Sequence, residues 1–373
     1  MEGRKEVYMK RIGNSFKGIL GGIVFVIIGV VLLWWNEGNN VRNLKTTAEM
    51  DKTYIDVESS EIDPNNEGKL VATFGKVINE KELTDSTFGV TVLSPVMKRV
   101  VEIYEWVEES ETDEDGNTTY KYSKEWSSAL VNSDNFHQSG HTNPKTKLYE
   151  DESYYSDDVK VGAFSLSNEQ IRTLSTNGYY NTFSEEKMTE LNLTKSGNYL
   201  TNSKNINSPE VGDIRISFVY NDSTDLSVLA VQRGNSFVDF VSEAGKTVNR
   251  VMDGTHSGQD MINTIKKENK IIKWLLRAFG ILACVIGFAT ILKPISAITS
   301  YVPLLGSIVG GAVGIISFVL GLSIGLVVIA IAWVRFRPVL GFSLLAVVIA
   351  LIVFLILRGK KTKEVPSQNT INQ

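Results

Sequence analysis

Three histidines, one cysteine and an acidic run are the residues from which this chain could build chemistry. His137 and His141 have the i, i+4 spacing that aligns two metal-binding imidazoles on one helix face. The intervening Gln138-Ser139-Gly140 and the following Asn143-Pro144 make the segment a turn instead. Cys284, inside an apolar run, is the only cysteine, so a disulfide within the chain and a cysteine metal cluster are both excluded. In the acidic run, Glu111-Thr112-Asp113-Glu114-Asp115-Gly116 is similar to the start of a calcium loop. The twelfth position of that loop requires glutamate and holds Tyr122, so the run is expected at a solvated hairpin tip. No G-x-S-x-G, P-loop, Rossmann glycine pattern or H-E-x-x-H is present. Neither an enzyme nor a cofactor or metal site is therefore expected.

The elements that would have to position any site fall into two classes. Apolar runs occupy residues 18–35, 278–292, 301–334 and 338–357, and a bilayer core of ~30 Å takes about 20 apolar helical residues to cross. Between the first and second runs lies a long polar stretch, large enough for its own core. The expected fold class is a multi-pass α-helical membrane protein with a mostly-β (β-rich α+β) extramembrane domain inserted between spans one and two. The expected boundaries are a cytoplasmic N-terminus at 1–17, a first span at 18–35 and the domain at 36–258. An interfacial amphipathic helix at 259–273 and a second span at 274–292 follow. Then come a shallow or re-entrant piece plus a third span in 301–334, a fourth span at 338–357 and a cytoplasmic tail at 358–373. Residues 301–334 as one helix would reach ~51 Å, which is the reason for splitting them.

The first span is an anchor rather than a cleaved signal, because Trp34-Trp35-Asn36-Glu37 is no small-residue cleavage site and the tryptophans suit an interface. With four spans, Lys and Arg divide equally between the two sides. The basic N-terminal flank (Arg4, Lys5, Lys10, Arg11, Lys17) then places the termini in the cytoplasm and the domain opposite. The span cores carry no charged residue away from their edges, which argues against ion-coupled transport. They do carry small-residue spacings, Gly18/Gly22, Gly306/Gly310/Gly314 and Gly321/Gly325, that serve helix packing within the chain or oligomerisation. The net charge of −4 gives no reason to expect nucleic acid.

Alternating and β-branched stretches predict strands near 70–78, 89–92, 100–107, 119–126, 159–166, 214–220, 226–232 and 237–241. Ser167-Asn168-Glu169-Gln170 predicts a capping box and a short helix. A candidate interaction surface combines Glu102, Tyr104, Trp106 and Trp126 with the turn residues His141, Asn143 and Pro144.

Motifs spread along the chain then point to a family. They include Asn36-Glu37-Gly38, Asn66-Glu67-Gly68-Lys69-Leu70, Val101–Glu108, Gly140–Pro144, Pro209–Phe218, Gln232-Arg233-Gly234, Trp274, Leu276-Arg277-Ala278, and Trp333 with Arg337-Pro338. The chain thereby resembles the transmembrane protein 43 (LUMA) family. The resemblance implies four spans, cytoplasmic-side termini, a lumen-side domain and no catalytic residues. It further implies, for animal members, a scaffold of the endoplasmic reticulum and inner nuclear membrane associated with emerin and lamins. The Asn- and Lys-rich surface favours a bacterial inner membrane over those two compartments. Sequons at Asn117, Asn192 and Asn221 would take glycans in a lumen. The expected function is a membrane scaffold with the bilayer, other membrane proteins and further copies of the chain as partners. A channel or channel regulator is the alternative, and an envelope enzyme acting on lipid or glycan a third reading.

Overall fold

The structure is a computed structural model that describes residues 2–112, 117–299, 303–339, 341–343 and 346. Side chains are described from residue 18 onward, apart from those of 296–308. Five α-helices have both ends among these residues: α1 (Glu2–Thr53), α2 (Asn168–Arg172), α3 (Glu185–Glu190), α4 (Gly258–Thr299) and α5 (Pro303–Phe336). The chain divides into two compact units. A helical unit holds residues 1–49, 242–246 and 263–373, and a strand-rich unit holds 50–241 and 247–262.

The strand-rich unit contains two seven-stranded sheets. The first runs in the order Ser236–Val238, Asp225–Arg233, Leu70–Asn79, Val159–Val161, Phe164–Ser165, with Ile55–Asp56 and Arg250–Asp253 added at its centre. The second runs Thr194–Ser196, Tyr199–Thr201, Ile214–Tyr220, Val96–Thr112, Thr118–Ser127, with Gly178–Tyr179 and Glu152–Tyr155 alongside. Each sheet has its own core, because alternate side chains of a strand share a face. Val71, Val161, Phe164, Leu226 and Val228 fill the first. Met97, Val101, Ile103, Ile214, Ile216 and Phe218 fill the second. The predicted capping box forms: Ser167 Oγ accepts from the Gln170 N–H at 3.2 Å, and Gln170 Oε1 accepts from the Ser167 N–H at 2.9 Å.

Among the described residues, three helices are long and apolar enough to cross a membrane: Gly18–Thr53, Gly258–Ile295 and Val309–Phe336. Most of the expected fourth span at 338–357 lies outside the described residues; those described, 338–339, 341–343 and 346, are helical. Several expected boundaries shift. Residues 36–53 continue α1 instead of opening the domain, which begins at Met50. The cause is a helical stripe made of polar groups: Asn36, Glu37, Asn40, Thr46 and Thr47 are all buried, and half-buried Asn43 bridges them, so that 36, 40, 43 and 47 follow at spacings of four and three. The interfacial helix and second span are one unbroken helix, α4. Met261 and Ile262, at the start of the expected interfacial helix, are fully buried and belong to the strand-rich unit. The re-entrant piece is likewise absent from the described part of the third segment, because α5 runs through Gly310-Gly311 without a break.

Small residues set the helix spacing. A Cβ on Gly22 would stand 2.6 Å from the Gly287 carbonyl oxygen, and one on Gly29 would stand 2.6 Å from both Cys284 Sγ and the Gly280 oxygen. Gly321 meets the Val285 backbone, and Gly325 meets Ile281. Gly18 touches Thr290 more loosely. These glycines therefore serve packing of the chain's own helices. Gly310 and Gly314 face open space. The surroundings of Gly306 lie outside the described residues.

Candidate functional site

The strand Val96–Thr112 organises the surface on which most of the sequence-predicted residues meet. Its register places Glu102 opposite Arg215, Tyr104 opposite Trp126, Trp106 opposite Lys124 and Glu108 opposite Tyr122. These even-numbered positions share the outer face of the second sheet, whereas Val101, Ile103 and Glu105 point into the interior and are buried. Arg215 binds Glu102 through two bonds of 2.5 and 2.8 Å, and Glu102 in turn raises the guanidinium's pKa. The same guanidinium lies 4.8 Å over the Trp126 ring and 5.9 Å over Tyr199. The Lys124 ammonium lies 4.7 Å over Trp106, and the Tyr104 and Trp126 rings are 5.2 Å apart. Both tryptophans are half-buried, so each keeps an accessible portion.

A return segment, residues 132–144, lies along the same strand pair. His141 stacks on Tyr122 at 3.8 Å and meets Trp106 edge-on at 4.6 Å, while His137 stacks on Tyr120 at 4.0 Å. Glu108 accepts from the Tyr122 hydroxyl and, at 2.6 Å, from the His137 N–H. The Tyr122 hydroxyl bond holds the Glu108 carboxyl below the usual glutamate range. The histidines thus make aromatic contacts, and among the described residues no group of three or more His, Cys, Asp or Glu is placed to hold a metal. The acidic residues 113–116 of the calcium-like loop lie outside the described residues.

Asn143 departs from its expected place on the surface. It is buried, and its side chain closes the open edge of the long strand: Oδ1 accepts from the Trp106 N–H at 2.7 Å and Nδ2 donates to the Trp106 carbonyl at 2.8 Å. An amide carries one acceptor and two donors, so it can stand in for a neighbouring strand. Beside it, Tyr104 exchanges backbone bonds of 2.8 Å with Asp213 and Gly212, and Pro144 comes within reach of Gly212. Arg215, Lys124 and Tyr122 were not foreseen as part of this face. Pairing Glu102 with Arg215 requires knowing which strand neighbours which, and local spacing does not encode it. Glu105 was also missed. Its buried carboxyl accepts from the Val131 N–H at 3.1 Å, and burial pushes its pKa up.

Within the helical unit a second polar constellation forms. Glu37 is 1% exposed and accepts from Arg277 Nε at 2.6 Å and from Trp333 Nε1 at 2.9 Å, linking α1, α4 and α5. Asn36 Nδ2 donates to the Lys273 carbonyl at 3.1 Å, and Asn43 to Asn269 at 2.8 Å. The Arg277 guanidinium also lies 4.8 Å over Trp274. Residues far apart in sequence (Asn36-Glu37, Trp274, Arg277, Trp333) are therefore one structural unit.

Of the three sequons, Asn221 is buried and its amide donates to Ser175 and Asp253, so it is no glycan acceptor in the folded state. Asn117 and Asn192 are exposed. A depression of about 390 Å³ between Thr173–Ser175 and Asn249–Asp253 brings no catalytic arrangement together.

Comparison with known proteins agrees with the resemblance. The profile of the family described as Transmembrane protein 43 matches residues 103–338. Transmembrane protein 43 of Homo sapiens is 28% identical over 95% of this chain and 92% of its own length. The Pongo abelii protein of that name is 27% identical over 93% of each chain. The Drosophila melanogaster homolog is 27% identical over 87% of this chain and 90% of its own. No solved structure matches. With more than half of its length inside the family profile, the chain belongs to the Transmembrane protein 43 family.

Proposed function

We propose that this chain is a membrane scaffold that binds other membrane proteins through the outer face of its second sheet. The supporting observation is the strip of half-buried Tyr104, Trp106 and Trp126 held rigid by Arg215, Glu102 and Lys124. Aromatic and arginine side chains dominate the energetics of protein interfaces, and groups already fixed in one rotamer lose little entropy on binding. The site's chemistry is that of recognition: paired charges and rings, with no activated nucleophile. The helical unit contributes anchorage, and the open face at Gly310 and Gly314 offers room for a second helix, from another copy or another protein.

The termini belong in the cytoplasm and the strand-rich unit on the opposite side, a reading that rests on the basic N-terminal flank. Protease added to sealed vesicles from the cytoplasmic face should leave the strand-rich unit intact; digestion from that face reverses the orientation. The binding reading is tested by crosslinking and pull-down from native membranes with the wild type and a Trp126→Ala/Arg215→Ala variant. The expected result is a defined set of membrane proteins lost from the variant. An identical set from both rules out this face as the docking surface.

A further inference from the structure

The helical unit contains a groove of about 800 Å³ between α1 and the end of α5, closed on one side by Ala244. Its α1 wall changes character along the axis. Val31 comes first, then Trp34 and Trp35, then Arg42 and Lys45, all on one helical face at spacings of three and four. That face covers ~20 Å of helix axis. The facing wall supplies Phe336, whose ring comes within 2.9 Å of where a Gly38 Cβ would stand and 5.4 Å from the Trp34 ring, and Arg335 beside it. Arg42, Lys45 and Arg335 are exposed and form no ion pair with a carboxylate among the described residues. The acidic side chain one turn beyond Lys45, Glu49, accepts from the Glu243 N–H at 2.9 Å.

We infer that this groove binds an anionic phospholipid, with its phosphate between Arg42, Lys45 and Arg335 and its glycerol and upper acyl chains along Trp34, Trp35, Phe336 and Val31. The sequence apolar, aromatic, basic reproduces the order acyl chain, interface, headgroup found on crossing a leaflet. Tryptophan sits at the level of the ester region, and basic pockets between spanning helices attract anionic headgroups. Gly38 belongs to the same device: any side chain there would push Phe336 out of the wall.

The test uses the full chain reconstituted in nanodiscs of phosphatidylcholine containing phosphatidylglycerol, with retained lipid counted by native mass spectrometry. The wild type should retain phosphatidylglycerol in preference to phosphatidylcholine. R42Q/K45Q should lower that retention about tenfold or more. K267Q/K270Q removes the same charge elsewhere in the helical unit and should leave retention unchanged. If R42Q/K45Q does not fold, R335Q alone should give a smaller loss in the same direction. Equal retention of the two lipids, or equal loss in both double variants, overturns the proposal. So does release of the lipid by millimolar inorganic phosphate, which would make the groove a free-phosphate site. Absence of any retained lipid also overturns it.

Discussion

The helical unit and the strand-rich unit differ in what holds their interiors together. In the strand-rich unit, alternation sends Ile214, Ile216 and Phe218 inward and leaves Arg215 and Ser217 half-exposed. In the helical unit the buried stripe of α1 beyond Trp35 is polar, with Asn36, Glu37, Asn40, Thr46 and Thr47, and its neighbours approach over glycine. Apolar side chains gain by leaving water but gain little by leaving lipid. A span therefore holds its neighbours by close backbone approach and by polar pairs that lipid cannot satisfy.

That contrast can be broken at several points. The largest losses should come from one residue in each unit. Arg277→Ala strands the Glu37 carboxylate and should cost about 3–5 kcal/mol. Glu37→Ala/Arg277→Ala should cost less than the sum of the singles, measured as thermal shifts of detergent-solubilised protein. Phe218→Ala should cost about 3–5 kcal/mol by opening a cavity, yet should leave the helical unit's hydrogen-exchange protection unchanged. Loss of protection in both units would make the chain one cooperative body.

Gly29→Val should cost about 1–3 kcal/mol by overpacking against Cys284 and Gly280. Gly314→Val, on the open face, should have almost no effect in the monomer. Equal effects at both positions would contradict packing within the chain. Asn143→Ala should cost about 1–3 kcal/mol by leaving the Trp106 backbone groups unpaired, with exchange rising first at residues 104–108.

The smallest effect is a pair of opposed pH dependences. The Glu108 pKa is lowered in the folded state, so its contribution is present above the unfolded glutamate value and disappears as pH falls through the lowered one. The Glu105 pKa is raised, so its contribution is present below the unfolded value and disappears as pH rises through the raised one. Relative to wild type, Glu108→Gln should therefore become more damaging as pH rises, and Glu105→Gln less damaging. Parallel trends in melting temperature would refute the opposed environments.

Legibility in the sequence followed the same division. Ile214–Tyr220 appears where its alternation predicts it, and Ser167 caps α2 as its spacing demands. The long strand overran its expected end at Val107, because Glu108–Glu111 reads as loop by composition while cross-strand partners hold it extended. The continuation of α1 past Trp35 was hidden because hydropathy cannot register a buried stripe of Asn, Glu and Thr. Gly29 and Gly287 went unremarked, since the packing glycines of each helix (22 and 29, 280 and 287) lie at seven-residue rather than four-residue spacing. Of the candidate surface, the strand residues were found and their charged partners were not. Asn143 was found for its place in a turn, but its role at the strand edge depends on a fold contact.

The edge closure by Asn143 has a chemical durability of its own. Asparagine ages when the following residue's backbone nitrogen attacks the side-chain amide, and the product carboxylate would have no N–H to offer the Trp106 carbonyl. The residue that follows is Pro144, whose ring nitrogen carries no hydrogen. That nitrogen cannot complete the cyclisation, so the side chain that seals the sheet edge is shielded from the slow hydrolysis that would otherwise unseal it over the protein's lifetime.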